Sequence, residues 1–348
     1  MTTQSVDLNA EIIPVSPSML TTILTDHAIN GESVGILGMP GQGKSEIVKQ
    51  VALNANKPML CPHNLVLMDS SDLKGIPHFN KATHSDEPVS MCWVQDKMWL
   101  QYVHSPLTCF LDELPNAQTM TIAAAASVIL EKRLDTLHFH KDTWVVWAGN
   151  RTTDKAASNR VPTHVLNRSY LYELQNTVED WSTYELNQPT LTDHLTVRFG
   201  RMKGDEVFSF DPARLINPTP RAWSTVARKL ALKPDTPFAT IAGRLGPAWA
   251  NELMQFRTLA PQLPSREQIM LDPLHAPVPT DPSALFLITD MLADFATVNN
   301  FDVVRTYMER LPADFQSKLV HSATKRDPAL FMTETFTKWG VKFSENLM

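Results

Sequence analysis

The sequence predicts an α/β chain in which a parallel sheet flanked by helices is followed by a helical region and a helical C-terminal extension. Three observations carry this. Short apolar runs alternate with amphipathic helical patterns through the first half, as strand–helix–strand units of a parallel sheet do. From about Glu179 the pattern is helical with frequent proline breaks. Six prolines between Pro261 and Pro282 then read as a linker or extended crossing, ahead of several amphipathic helices from Ser283 to Leu347. The expected regions are an α/β core over 1–178, a smaller helical domain over 179–260, and the proline-rich linker with its helical extension over 261–348.

Each element has its own signal. Val34 to Gly38 is a short buried strand ending in a glycine turn, and Glu46 to Leu53 follows as a helix with Ile47, Val48, Val51 and Ala52 on one face. Leu107 to Leu111 and Thr143 to Ala148 are further buried strands, with an alanine-rich helix from Ala117 to Lys132 between them. Ser169 to Leu174 reads as the last strand. In Asn217-Pro218-Thr219-Pro220, Thr219 is placed to cap a helix and Pro220 to occupy its first position.

Composition narrows the class. The 348 residues suffice for two or three compact units, and 43% hydrophobic with 20% charged residues is ordinary for a soluble globular protein. Lys and Arg number 31 against 37 acidic residues, a net charge of −6. Phosphate neutralisation dominates nucleic-acid affinity and calls for a basic excess, so the balance favours protein partners. Cys61, Cys92 and Cys109 share no metal-ligand spacing and are odd in number, which points to a reducing compartment and three buried free thiols. Met1 to Pro14 carries Asp7 and Glu11 in place of a signal peptide's basic start and apolar core. The uncharged run Leu114 to Leu130 contains Asn116, Gln118, Thr119, Thr121 and Ser127, too polar for a membrane span. A cytoplasmic protein without membrane association is expected.

Gly38-Met39-Pro40-Gly41-Gln42-Gly43-Lys44-Ser45 fits G-x-x-x-x-G-K-[ST] and lies between a predicted strand and a predicted helix. Glycines there let backbone N–H groups turn inward around phosphates, and the helix N-terminus adds its positive dipole end. Lys44 can reach the β- and γ-phosphates, and the Ser45 hydroxyl can ligate Mg²⁺. The candidate ATP-binding set is Gly38, Pro40, Gly41, Gln42, Gly43, Lys44, Ser45 and Glu46. Cys109-Phe110-Leu111-Asp112-Glu113 is an apolar strand ending in paired acids, about seventy residues past the loop. Asp112 is the second Mg²⁺ candidate, and Glu113 the group that polarises an attacking water. Asn150, in Trp147-Ala148-Gly149-Asn150-Arg151, is a polar residue at the tip of a third apolar strand. Neither N-K-x-D nor L-S-G-G-Q occurs, which weakens GTPase and ABC-transporter readings.

With these motifs in this order, the chain resembles the MoxR-like AAA+ ATPases, including their dynein-related bacterial and phage members. Asp72-Leu73-Lys74-Gly75-Ile76-Pro77 resembles the family's D-L-[RK]-G-x-P element. Gly149-Asn150-Arg151, Asp154, Pro162 and Leu166-Asn167-Arg168 resemble its stretch from sensor 1 to the arginine finger, and Trp181 also fits. Pro218-Thr219-Pro220-Arg221-Ala222-Trp223 resembles sensor 2, and Gly243 to Leu253 the helix after it. The match runs from about Val34 to Phe256; His194 to Phe210 matches no element, and Tyr307 to Phe315 is similar less specifically.

The resemblance implies a P-loop AAA+ core, a helical lid, and a ring of subunits, six being the usual count. It implies Glu113, Asn150, Arg168 and Arg221 as the catalytic set. Arg168 would act on a neighbour's γ-phosphate, a role worth about 10³ to 10⁵ in rate in other P-loop systems. Arg151 and Arg160 are rival fingers on the same loop. Arg221 would close the lid on the nucleotide, and His78 to Glu87 would face the ring's channel. The implied activity is ATP-driven remodelling of a protein client, with a separate von Willebrand A-domain partner. Asp69-x-Ser71 suggests that partner module's metal motif, but Leu73 breaks it. A nucleic-acid-directed motor, such as a helicase loader or a phage packaging or replication ATPase, shares every nucleotide motif. A small-molecule kinase is opposed by Glu113 and the lid arginine.

Overall fold

The computed structural model describes residues 12–79, 91–151, 161–188 and 191–345. In chain order the strands are β1 (Pro14–Val15), β2 (Val34–Leu37), β3 (Met59–Asn64), β4 (Ile76–Phe79), β5 (Met91–Val94), β6 (Thr108–Asp112), β7 (Arg133–Leu134), β8 (Leu137–His138), β9 (Trp144–Gly149) and β10 (Tyr170–Leu174). The helices of the first half are α1 (Pro17–Asn30), α2 (Lys44–Asn54), α3 (Ser70–Lys74), α4 (Lys97–His104), α5 (Thr119–Glu131) and α6 (Thr163–Leu166). Those that follow are α7 (Val178–Asn187), α8 (His194–Lys203), α9 (Pro220–Leu232), α10 (Phe238–Leu245), α11 (Pro247–Leu259), α12 (Arg266–Leu271), α13 (Pro282–Phe295), α14 (Phe301–Met308), α15 (Ala313–Arg326) and α16 (Glu334–Glu345).

Six strands form one sheet in the order β1-β10-β2-β9-β6-β3, and every pairing is parallel. The apolar runs are continuous because both faces are covered. Phe110, Trp144, Val146 and Ala148 pack with Leu20 and Leu24 of α1 and Val48, Val51 and Ala52 of α2. The alternate residues Cys109, Leu111, Val145 and Trp147 pack on the other face with Trp99 and Tyr102 of α4 and Ile122, Ala125 and Val128 of α5. Period-two alternation therefore feeds two cores, not one core and solvent. Strand β9, inserted between β2 and β6, has all six residues buried.

The chain divides into two compact units, residues 1–184 with 208–223, and residues 185–207 with 224–348. The second is helical, with a core that includes Ile269, Leu285, Ile288, Leu292, Phe301, Val304, Tyr307, Leu319 and Leu330. Here α8 meets α13 through buried charge: Arg198 bonds Asp290 at 3.2 Å and Asp294 at 3.0 Å, and Arg201 bonds Asp294 at 3.2 Å. Burial pushes the Asp290 carboxyl up while Arg198 and Arg201 pull it down, with a net rise. This gives the unmatched stretch from His194 a structural job.

Several expectations change. Cys61 and Cys92 are exposed and only Cys109 is buried, because Cys61 lies on the sheet's edge strand β3 and Cys92 on the β4–β5 hairpin. The proline-rich segment is not simply extended. It contains α12, opened by a capping box between Ser265 and Gln268. Gly243 to Leu253 is two helices, broken where Gly246 takes φ 86° ahead of Pro247. Among the described residues no helix is long and apolar enough to cross a membrane.

Candidate nucleotide site at the carboxyl ends of the strands

Arg168 precedes the amino end of β10, whereas the other candidate residues come from the carboxyl ends of β2, β6 and β9, from the loop and first turn of α2, and from the first turn of α9, all within the first unit. Ligands of open parallel sheets bind at this end. After β2 the loop turns through Gly41 at φ 79° and Gly43 at φ 89°, left-handed conformations that glycine adopts without steric cost. Gly43 then serves as N-cap of α2, so Lys44, Ser45 and Glu46 form its first turn. Lys44 and Gln42 are buried, while Glu46 is exposed. Pro40 is exposed on the loop's outer side.

The Lys44 ammonium donates to the Gly38 carbonyl at 2.7 Å, to that of Met39 at 3.1 Å, and to Asn150 Oδ1 at 3.4 Å. Asn150 is itself buried, and its Nδ2 donates to Glu113 Oε2 at 3.1 Å. One amide thus joins the cation of the loop to the second acid of β6. Its orientation follows from charge: the carbonyl faces the ammonium and the NH₂ faces the carboxylate. The Ser45 hydroxyl donates to Asp112 Oδ2 at 3.2 Å. Glu113 also accepts from Asn116 Nδ2 at 2.5 Å, and its backbone stands at φ 58°, ψ 32°.

Neighbouring main chain fixes this layout. Gly38 N–H donates to the Gly149 carbonyl at 3.2 Å, tying the loop to the end of β9. A Cβ at Gly149 would lie 2.2 Å from Pro115 Cδ, so only glycine lets β9 pass the turn after β6. Asn176, just past β10, donates to the Gln42 carbonyl at 3.2 Å. Arg221 N–H donates to the Gly41 carbonyl at 3.2 Å, and a Cβ at Gly41 would lie 2.8 Å from Thr219 Oγ1. The sensor 2-like turn therefore starts against the phosphate loop, with the Arg221 side chain exposed.

The arginines after β9 separate. Arg151 pairs with Glu173 of β10 at 2.7 Å, both partly buried. Arg168, at the end of the turn after α6, is exposed and its side chain makes no hydrogen bond or ion pair with the described residues. Arg160, Asp154 and the stretch from Asn80 to Glu87 lie outside the described residues. Asp72, from the D-L-K-G-I-P element, accepts from the Asp69 N–H at 2.8 Å and caps α3, while Trp181 is buried edge-on to Phe208 at 5.8 Å. Both are structural in this setting.

No protein-family model matches the chain, and no curated protein sequence matches it. Solved structures are similar to it at low identity. A candidate ATPase from Cytophaga hutchinsonii is 17% identical over 45% of this chain and 46% of its own, with a TM-score of 0.30. A RuvB variant from Thermotoga maritima is 14% identical over 68% of this chain and 66% of its own, with a TM-score of 0.36. NtrX from Brucella abortus, solved with ADP, is 12% identical over 97% of this chain and 70% of its own, with a TM-score of 0.40. The chain thus spans less than two thirds of the first two.

Asn116 and Glu173, which no sequence motif marks, also bond the candidate residues, Asn116 to Glu113 and Glu173 to Arg151. Asn116 stands three residues after Glu113 in Glu113-Leu114-Pro115-Asn116, a spacing that a tight turn at a strand end would have flagged.

Proposed function

We propose that the protein is an ATP-hydrolysing AAA+ ATPase of the MoxR-like kind, which works as a ring on a protein client together with a von Willebrand A-domain partner. The observation that carries the ATPase reading is the Lys44–Asn150–Glu113 chain beside the Ser45–Asp112 pair, in which the start of α2 and the ends of β6 and β9 converge on one place. On ATP binding, the Lys44 ammonium exchanges loop carbonyls for β- and γ-phosphate oxygens, and the loop's N–H groups hold the phosphate chain. Ser45 and Asp112 are hard oxygen donors already in hydrogen-bond contact, a fit for Mg²⁺. Bound there, Mg²⁺ supplies neutralisation of phosphate charge. Glu113, oriented by Asn150, polarises the attacking water.

The ring reading rests on the arginines. Arg151 is committed to Glu173 in its own chain, whereas Arg168 is exposed and available to a neighbouring subunit's γ-phosphate. Arg221 follows the phosphate loop through the Gly41 contact and senses the nucleotide from the same chain. The client, and the partner that presents it, are read from resemblance and from the acidic charge balance.

The test is steady-state ATP hydrolysis per subunit over a range of protein concentrations, beside Lys44→Ala and Glu113→Gln. A rate that climbs with concentration, is lost in Lys44→Ala and falls to a small measurable residue in Glu113→Gln is expected, with nucleotide binding lost only in Lys44→Ala. Hydrolysis left at the parent rate by Glu113→Gln would sink the assignment. Stimulation by DNA, and not by protein, would move the reading to a nucleic-acid-directed motor.

A further inference from the structure

The turn that follows the paired acids holds a feature the nucleotide motifs do not explain. Glu113 is grasped twice by Asn116: the Asn116 backbone N–H donates to the Glu113 carbonyl at 3.0 Å, and its side-chain Nδ2 donates to Glu113 Oε2 at 2.5 Å. Oε2 also takes the Asn150 bond, so two amides converge on one carboxylate oxygen. The geometry points to Asn116 as a positioning residue for Glu113, resting on the ATPase reading above. With Oε2 held by both amides, Oε1 is the oxygen left to face a water.

Two further observations support this. Leu114 and Pro115, between the two residues, are buried, and Pro115 abuts Gly149, so the turn is pinned to the end of β9. The other side-chain atom of Asn116, Oδ1, is buried and has no hydrogen-bond partner among the described residues. A buried amide oxygen left unpartnered is unfavourable, and such groups in native proteins call for an explanation. Turning the amide over would satisfy nothing, since it would bring Oδ1 against the carboxylate. The side chain is thus held in the orientation that serves Glu113 at the expense of its own oxygen.

The experiment combines kinetics with a double-mutant cycle, on the full chain at a protein concentration where the rate per subunit has levelled off. Asn116→Ala, Glu113→Gln and the double variant are compared for kcat, KM, fluorescent ATP-analogue affinity and thermal midpoint. Asn116→Ala is expected to lower kcat by about 10²-fold through misplacement of the reacting group, with analogue affinity and KM within about twofold of the parent. In the Glu113→Gln background the same substitution is expected to cost nothing further, because the group it positions is already gone. A full additional loss there, or a loss explained by weaker nucleotide binding, would overturn the positioning role. If Glu113→Gln alone leaves hydrolysis intact, the ATPase reading fails first and takes this proposal with it, so the two failures are distinguishable.

Discussion

Asn150 Nδ2 donates to Glu113 Oε2 at 3.1 Å while Asn150 Oδ1 accepts from the Lys44 ammonium. The amide is buried and joins a cation to an anion. Removing it by Asn150→Ala frees both ends. Hydrolysis is expected to fall by about 10²-fold, the usual cost of one preorganised donor, with nucleotide affinity much less affected. Pre-steady-state and equilibrium binding measurements separate the two.

A neighbour-supplied Arg168 makes a distinctive forecast for mixtures. Arg168→Ala alone is expected to lose about 10³-fold or more in rate. A Lys44→Ala chain is equally inactive but still presents its own Arg168. Mixing the two inactive proteins should restore measurable hydrolysis, since sites pairing an intact loop with an intact arginine then form. A mixture as dead as its components argues that the arginine serves its own chain.

Gly149 has no room for a side chain, its Cβ position lying 2.2 Å from Pro115 Cδ. Gly149→Ala is expected to destabilise the first unit by about 1–3 kcal/mol, as overpacking does. Because the Gly149 carbonyl also holds Gly38 N–H, ATP affinity should drop along with the thermal midpoint. Calorimetry with and without nucleotide reads both.

In the second unit Arg198 is 6% exposed and bonds both Asp290 and Asp294. Arg198→Met leaves Asp290 buried with a weaker partner, and a cost of about 3–5 kcal/mol is expected. Adding Asp290→Leu should recover most of it, since removing both charges of a buried pair is far milder than removing one. Denaturant melts of the three variants measure this; a double variant as unstable as the single would show that α8 and α13 need the charges themselves.

His63 is buried against Trp99 and shares a 2.7 Å hydrogen bond with the Tyr102 hydroxyl. Burial pushes its pKa down from 6.5 to about 4. Between those values the unfolded chain takes up a proton that the folded chain refuses, so stability is full above pH 6.5 and falls as pH drops toward 4. Melting temperatures across that window should decline less in His63→Gln than in the parent.

What the sequence shows most clearly is whatever is written in consecutive residues. The phosphate loop occupies eight positions in a row, and the strands at Val34 and Trp144, like Thr108 to Leu111, are uncharged because both faces are buried. The Arg198–Asp290 pair joins residues 92 positions apart, and no local pattern reports it. Edge strand β3 was invisible for a related reason: Leu60, Cys61 and Pro62 are exposed, so its pattern lacks the buried run that marks the central strands. The Ser265–Gln268 capping box, by contrast, is a local signal that the surrounding prolines masked. Asn116 belongs to no motif, and only its spacing from Glu113, that of a tight turn after a strand, hints at the contact the fold makes between them.

Glu113 holds a left-handed backbone, φ 58°, that costs a residue with a side chain about 1–2 kcal/mol and glycine almost nothing. A chain carrying glycine there would lack the carboxylate and yet relax the turn. Selection for a sturdier fold and selection for turnover therefore pull this one position in opposite directions. A screen that rewards heat resistance alone should drift toward inert variants at residue 113, while one that rewards turnover should keep the glutamate and gather its compensating stability elsewhere.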